Sequence, residues 1–208
     1  MGLSEGDLRA GLDALATIEP AFGAALARVG YPAPRIRPRG YATLLRTILG
    51  QQVSVKAADA VWRKLAERQG DPADPATIVS ATDEDLRACG FSRQKAAYAR
   101  HLADEVTSGR LDLANLAADD EEAIAQLVRI KGIGRWSAEV YLLFAEGRAD
   151  IWPAGDLAVQ IEVGRILGHA ARPGERQVRE LAEAWRPHRG AAAIFTWHHY
   201  GATGDAPL

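Results

Sequence analysis

Apolar residues recur along this chain at spacings of three and four, the period that places them on one face of an α-helix. Clusters of β-branched residues are scarce, so the pattern predicts an almost wholly helical, all-α protein. Residues 41–69 are predicted to form one or two helices, with an interruption near Gly50. The predicted buried positions of this segment are Leu44, Leu45, Ile48, Val55, Val61 and Leu65.

Prolines and capping residues indicate where several helices begin and end. Because proline cannot continue a helix, Pro32, Pro34 and Pro38 predict an extended linker before residue 41. Thr82 is predicted to begin a short helix with an acidic first turn, and Gly90 to end it.

Ser92 is a typical N-cap for the next helix, which is predicted to extend to about Thr107. Its predicted buried positions are Ala96, Ala97, Leu102 and Val106. Further helices are predicted at residues 119–129, 134–146, 156–168, 175–185 and 189–200.

The composition adds limits on the class of protein. The chain has 208 residues, 48% hydrophobic and 25% charged, which is ordinary for a globular protein with its own core. The single cysteine, Cys89, excludes an intramolecular disulfide, a four-cysteine zinc site and a four-cysteine iron–sulfur cluster. The start of the chain lacks the apolar core of a signal peptide, and we expect a cytoplasmic protein, nucleoid-associated in a bacterium.

The net charge of −2 is unlike that of a generic nucleic-acid coat, so the distribution of charge is more informative than its sum. Residues 119–122 are all acidic. The cationic residues fall into two stretches, one with Arg28, Arg35, Arg37, Arg39 and Arg46 and the other with Arg129, Lys131 and Arg135. A solvated surface explains each stretch taken alone.

Residues 127–139, LVRIKGIGRWSAE, have the pattern of a helix-hairpin-helix motif. Gly132 and Gly134 flank one apolar residue, which allows a sharp turn and a close approach of peptide N–H groups to a ligand. The free N–H groups at the start of the second helix suit a phosphate oxygen, and Lys131 and Arg135 add mobile charge. The pattern predicts salt-dependent DNA binding without sequence preference. The alternative is an ordinary packing corner between two helices.

Trp152, Pro153, Ala154, Gly155 and Asp156 follow the hairpin by about twenty residues, and the two segments together resemble the helix-hairpin-helix (HhH-GPD) DNA glycosylases. The closest resemblance is to bacterial DNA-3-methyladenine glycosylase II. It is also supported by Gly50, Gln51, Gln52, Val53 and Ser54, and by Trp185, Arg186, Pro187, Arg189 and Trp197.

The resemblance implies a two-lobed helical fold with the active-site cleft between the lobes. Lobe one is expected at about residues 42–148, including the hairpin at 131–134, and lobe two at about 1–41 plus 149–208. In these families the aspartate is catalytic, so Asp156 is the candidate carboxylate. From the local sequence alone, Asp156 is equally a helix N-cap, and the two roles can coexist.

Further site residues follow from the resemblance. Trp136, Trp197 and Trp152 are the candidates for the walls of the base pocket. Core packing is the alternative for Trp136 and Trp197, and anchoring of the loop before Pro153 is the alternative for Trp152. The candidate DNA contacts are Gln51, Gln52, Ser54, Lys131, Gly132, Gly134 and Arg135, with Gln52 at the position of the intercalating wedge. Val140 stands where the closest relatives have a pocket tyrosine.

Trp136 occupies the position at which bifunctional relatives have a lysine, so the resemblance implies a hydrolase that forms no Schiff base. No cofactor is required for this chemistry. The resemblance allows a structural Na⁺ or K⁺ ion at the hairpin, held by the backbone carbonyls of Val128, Ile130 and Ile133. The histidines 169, 188, 198 and 199 are assigned no ligand role, because no spacing completes a zinc site.

The leading hypothesis is therefore a monofunctional DNA glycosylase that flips and excises alkylated bases of the 3-methyladenine type by hydrolysing the N-glycosidic bond. Its expected partner is double-stranded DNA with damaged bases, and we expect a monomer with no membrane contact. One alternative is a non-catalytic helix-hairpin-helix protein that binds damaged or bent DNA. Another is a helical interaction scaffold whose hairpin only packs.

Overall fold

The computed structural model describes residues 2–204, and within that range it contains helices and loops but no strand. The predicted all-α class is confirmed. The described residues form two compact units, one of residues 2–37 with 142–204 and the other of Pro38–Tyr141. The resemblance places the lobes at about 42–148 and at about 1–41 plus 149–208, of which positions 1 and 205–208 lie outside the described residues.

Twelve α-helices are present in the described range. They are α1 (Glu5–Ile18), α2 (Pro20–Val29), α3 (Tyr41–Gly50), α4 (Val55–Gln69), α5 (Pro75–Ser80), α6 (Asp83–Cys89), α7 (Arg93–Thr107), α8 (Asp120–Val128), α9 (Arg135–Tyr141), α10 (Leu157–Ile166), α11 (Glu175–Ala182) and α12 (Arg189–Thr203). A π-helical turn, Leu142–Glu146, follows α9, and a 3₁₀ turn, Glu183–Trp185, follows α11. None of these helices combines the length and apolar character that crossing a membrane requires.

Several predicted helix boundaries are confirmed by their caps. Thr82 and Asp85 form a reciprocal capping box at the start of α6, and hydrogen bonds from Thr82 lower the pKa of Asp85. Gly90 ends α6 in the left-handed conformation, with φ at +101°. The predicted interruption near Gly50 is a turn of residues 51–54 between α3 and α4.

The core of the 38–141 unit contains Leu44, Leu45, Ile48 and Leu65, as predicted. Two predicted core residues are exposed instead. Val55, at 79% exposure, is the first residue of α4 and lies just beyond the N-cap Ser54, where the helix has not yet reached the core. Ala97 lies on the outer face of α7, and Ala99 and Ala103 occupy its buried face with Leu102.

The other unit has a separate core built around aromatic side chains. The Trp185 ring packs edge-on against Phe22 and against Trp152, with ring centroids 5.0 Å and 5.4 Å away. Leu8, Leu12 and Leu15 of α1 are buried in the same unit at helical spacing. This core fixes the segment that leads into α10.

Candidate active site

The hairpin between α8 and α9 is a tight turn closed by its own backbone. Ile130 N–H donates to the Leu127 carbonyl at 3.1 Å, and Ile133 N–H donates to the Ile130 carbonyl at 3.0 Å. Both isoleucine side chains are buried. Gly132, between them, has φ at +88°, and a β-carbon there would overlap the ring of Tyr98. The positive φ and the close packing against Tyr98 therefore require glycine at residue 132.

Gly134 differs from Gly132 in its surroundings. It is exposed, and a β-carbon at this position would meet nothing within 4 Å. Its carbonyl accepts from Ala138 N–H at 3.0 Å, which starts α9. Packing within the unit does not require glycine at residue 134, so the open space beside its backbone is available to a ligand.

The turn between α3 and α4 is joined to the hairpin. Gln51 donates from its side-chain amide to the Gly132 carbonyl at 2.6 Å, and Ser54 caps α4 by accepting from Ala57 N–H at 3.2 Å. Gln52 between them is exposed and has φ at +55°, a left-handed conformation that is uncommon for a residue other than glycine. The structure thus brings two predicted DNA-contacting segments together within one unit.

Helix α7 supplies supporting residues that sequence reasoning missed. Lys95 donates from Nζ to the Leu49 carbonyl at 2.7 Å, near the end of α3, and desolvation there lowers its pKa. Tyr98 packs against Gly132, and His101 Nδ1 accepts from Lys131 N–H at 3.2 Å. The spacing of three between these residues would have indicated a shared helix face, but not what that face contacts.

Arg135 is not the mobile charge that the sequence suggested. Its guanidinium donates to Glu121 at 2.8 Å and to Glu139 at 2.9 Å, and Glu139 is only 2% exposed. Hydrogen bonding to Glu121 raises the pKa of Arg135, with charge contributions from both carboxylates. Lys131 is exposed, as a phosphate contact requires. Contact of either residue with DNA stays a prediction.

Asp156 lies at the start of α10, on a loop that the aromatic core holds in place. Its Oδ1 accepts from Val159 N–H at 3.0 Å, and its own N–H donates to the Pro153 carbonyl at 2.9 Å. Gln160 donates to the Ala154 carbonyl at 2.8 Å. The half-buried carboxylate is therefore an N-cap with a fixed position, as one of the two sequence interpretations required.

The three candidate pocket tryptophans have different surroundings. Trp152 is 4% exposed, and its Nε1 donates to the Val178 carbonyl at 3.2 Å, which favours the alternative that this residue anchors the loop. Trp197, on α12, is half-buried with its ring 5.4 Å from the ring of Phe144. Trp136, on α9, is 47% exposed, while Val140 on the same helix is buried.

The described residues contain no cluster of three or more His, Cys, Asp and Glu side chains suited to a metal ion. Two of the histidines at 169, 188, 198 and 199 have protein partners. His198 Nε2 is 3.1 Å from the Val29 carbonyl, and His199 lies between Glu162 and Arg28.

An all-helical protein with a glycine hairpin, and with an aspartate fixed at the N-cap of a later helix, has the features of a helix-hairpin-helix DNA-processing protein. Residues 45–187 match the family model described as HhH-GPD superfamily base excision DNA repair protein. This match spans more than half of the chain and includes both the hairpin and Asp156. The chain belongs to the HhH-GPD superfamily of base excision DNA repair proteins.

Individual relatives agree with this assignment. The chain is 34% identical to DNA-3-methyladenine glycosylase 1 of Schizosaccharomyces pombe over 161 residues, which is 76% of this chain and 71% of the relative. A DNA-3-methyladenine glycosidase structure from Bacillus halodurans superposes with a TM-score of 0.76 at 30% identity, covering 89% of this chain and 91% of the other. A Schizosaccharomyces pombe 3-methyladenine DNA glycosylase bound to abasic DNA gives 0.73 at 29% identity, covering 90% and 94%.

Proposed function

We propose that this protein is a monofunctional DNA glycosylase that flips and excises alkylated bases of the 3-methyladenine type in base excision repair. The observation that carries the proposal is Asp156, fixed at the N-cap of α10 inside the segment that matches the HhH-GPD family. The names of the relatives support the same substrate class, since both solved structures above are of enzymes named for 3-methyladenine.

The proposed chemistry assigns Asp156 an electrostatic role. Breaking an N-glycosidic bond develops positive charge on the deoxyribose, and a fixed carboxylate stabilises that charge or orients the attacking water. Val159 N–H donates the cap hydrogen bond to Oδ1 of this carboxylate. Capping also holds the group in position before the reaction, which is what preorganised stabilisation requires.

The damaged base must leave the DNA stack before its bond can break. We assign an aromatic contact with the base to Trp197 and to Trp136, because neither residue is fully buried, whereas Trp152 is 4% exposed. Alkylation at a ring nitrogen makes a base cationic, so an aromatic face attracts it by about 1–2 kcal/mol through a cation–π interaction.

Cleavage without strand scission is the second part of the proposal. Trp136 has no amine, so it cannot form the imine through which bifunctional relatives cut the strand. The expected product is an intact strand with an abasic site that breaks only after added alkali. Borohydride trapping tests this directly, because a stable protein–DNA adduct with the wild type would contradict it.

The hairpin fits the monovalent cation that the family resemblance allows. Val128 ends α8, where carbonyls lack partners within the helix, and Ile130 and Ile133 follow it in the closed turn. Their carbonyl oxygens are the hard ligands that Na⁺ or K⁺ takes, and the ion would stiffen the turn. Replacing both ions with tetramethylammonium at constant ionic strength should then weaken duplex binding.

The experiment that decides the function is base release from a panel of duplexes, each with one lesion: 3-methyladenine, 7-methylguanine, ethenoadenine or hypoxanthine. Release of an alkylated base at a rate above that without enzyme is the expected result. Tight binding to all duplexes with no release from any would contradict the glycosylase, and would favour the non-catalytic binding protein.

A further inference from the structure

The exposed segment before α3 holds two arginines against the aromatic side chains of its own unit. The Arg35 guanidinium lies over the Trp197 ring at 5.7 Å, and that of Arg37 lies over the Phe144 ring at 5.5 Å. The two rings are themselves in contact, with centroids 5.4 Å apart. These four side chains form the arginine–aromatic stack.

The backbone fixes the stack in place. Arg37 N–H donates to the Phe144 carbonyl at 2.8 Å, which ties the segment to the π-helical turn Leu142–Glu146. Pro34 and Pro38 flank the two arginines and restrict the backbone on both sides. Both guanidinium groups lie over rings that contact each other, so they are presented together, and Ile36 between the two arginines is exposed.

The charge of the stack is uncompensated within the described residues. Neither Arg35 nor Arg37 forms an ion pair there, whereas many other arginines do, such as Arg189 with Asp150 at 2.8 Å and Arg100 with Asp83 at 2.8 Å. Partial burial lowers the pKa of Arg35, and the neighbouring charge of Arg37 lowers it further. Two like charges held side by side repel each other, and an anion bound between them would relieve this repulsion.

We propose that the arginine–aromatic stack binds the phosphate backbone of the DNA strand, as a second anchor that is independent of the hairpin. Two residues that are two apart in a non-helical segment can be separated by up to roughly 6.6 Å, comparable to successive phosphates along one strand. Guanidinium groups bind phosphate oxygens in a bidentate manner, and aromatic stacking limits the rotamer freedom they lose on binding. The anchor lies on the unit that carries Asp156, and the inference rests on the proposed action on DNA.

The test is the salt dependence of duplex binding between 50 and 200 mM NaCl. Each phosphate contact contributes about 0.9 to the slope of log Kd against log salt, so Arg35→Ala/Arg37→Ala should lower the slope by about 1.8. A fourfold rise in salt should then weaken the wild type about 12-fold more than this variant. Arg35→Lys/Arg37→Lys keeps the charge and should keep most of the slope.

The matched control is Arg110→Ala/Arg176→Ala, which removes the same charge from two exposed arginines that have carboxylate partners. It should retain the wild-type slope. Circular dichroism checks folding, and if the double variant does not fold, Arg37→Ala alone should lower the slope by about 0.9.

An unchanged slope in the folded variant would overturn the anchor. An unchanged slope with an altered preference between cationic and neutral lesions would also overturn the anchor. It would instead indicate that Arg35 controls access of the base to the Trp197 ring. Base release by the same wild-type preparation separates the two proposals. If the wild type releases the base and the variant has an unchanged salt slope, only the proposed anchor is rejected. If the wild type releases no base, the proposed glycosylase activity is rejected, whatever the salt slope.

Discussion

The hairpin of residues 131–134 and the loop of residues 152–156 each lead into a helix, α9 in the first case and α10 in the second. In the hairpin, the atoms suited to a ligand belong to the backbone, and the glycines set what can approach them. In the loop, one side chain carries the proposed chemistry, and buried neighbours such as Trp152 hold it. Substitutions in the hairpin should therefore change folding or binding, and a substitution at Asp156 that keeps the helix cap should change only the reaction.

The largest expected effect is that of Asp156→Asn. Asparagine keeps the size of the side chain and can cap α10, so folding and duplex binding should be retained while the negative charge is lost. Single-turnover base excision should fall by roughly 100-fold or more, which corresponds to about 3 kcal/mol of transition-state stabilisation. Neutral lesions such as hypoxanthine should lose more than cationic lesions, whose bases already leave readily.

Asp74→Asn is the control, because Asp74 is also the N-cap of a helix, α5, and accepts from Ala76 N–H at 2.9 Å. It should leave excision at the wild-type rate. If Asp156→Asn also stays within a few-fold of wild type, with unchanged stability and binding, Asp156 is a cap without a catalytic role.

Gly132→Ala should be the most destabilising single change in the hairpin. The new β-carbon would overlap the Tyr98 ring, and the alanine backbone would have to keep a positive φ. The free energy of unfolding should therefore fall by about 3 kcal/mol. Urea denaturation followed by tryptophan fluorescence measures this. A loss below about 0.5 kcal/mol would show that the turn relaxes freely and that packing does not require this glycine.

Gly134→Val should have the opposite profile. Nothing lies within 4 Å of an added β-carbon, so stability should change by less than about 1 kcal/mol, while blocked access to the backbone should raise the duplex Kd by roughly 10-fold. Fluorescence anisotropy at one fixed salt concentration, with and without a lesion, is the measurement. Equal affinity of variant and wild type would remove the hairpin from the DNA interface.

Local signals in the sequence were sufficient for the helices and the hairpin. Thr82 and Gly90 bound α6 as predicted, because capping depends on neighbouring residues only. The roles of Tyr98 and Arg135 could not be predicted in this way. Tyr98 meets Gly132 across 34 residues, and Glu121, which binds Arg135, lies on the preceding helix, so only the folded chain brings these partners together. Glu139, the other partner of Arg135, is one turn away on α9, a spacing that the sequence does show.

The smallest expected effect separates the two interpretations of Trp152. Phenylalanine preserves most of the buried aromatic contact with Trp185 but loses the hydrogen bond from Nε1 to the Val178 carbonyl, so Trp152→Phe should cost about 1 kcal/mol of stability. Because the ring is enclosed, excision per folded molecule should stay near the wild-type rate. Trp197→Phe, at a half-buried ring, is the comparison and should lower excision of cationic lesions by several-fold, through weaker stacking. Thermal melting and single-turnover excision on the same preparations distinguish the cases. Impaired excision by Trp152→Phe at unchanged stability would return Trp152 to the base pocket, and the loop would then contribute a second side chain to the reaction.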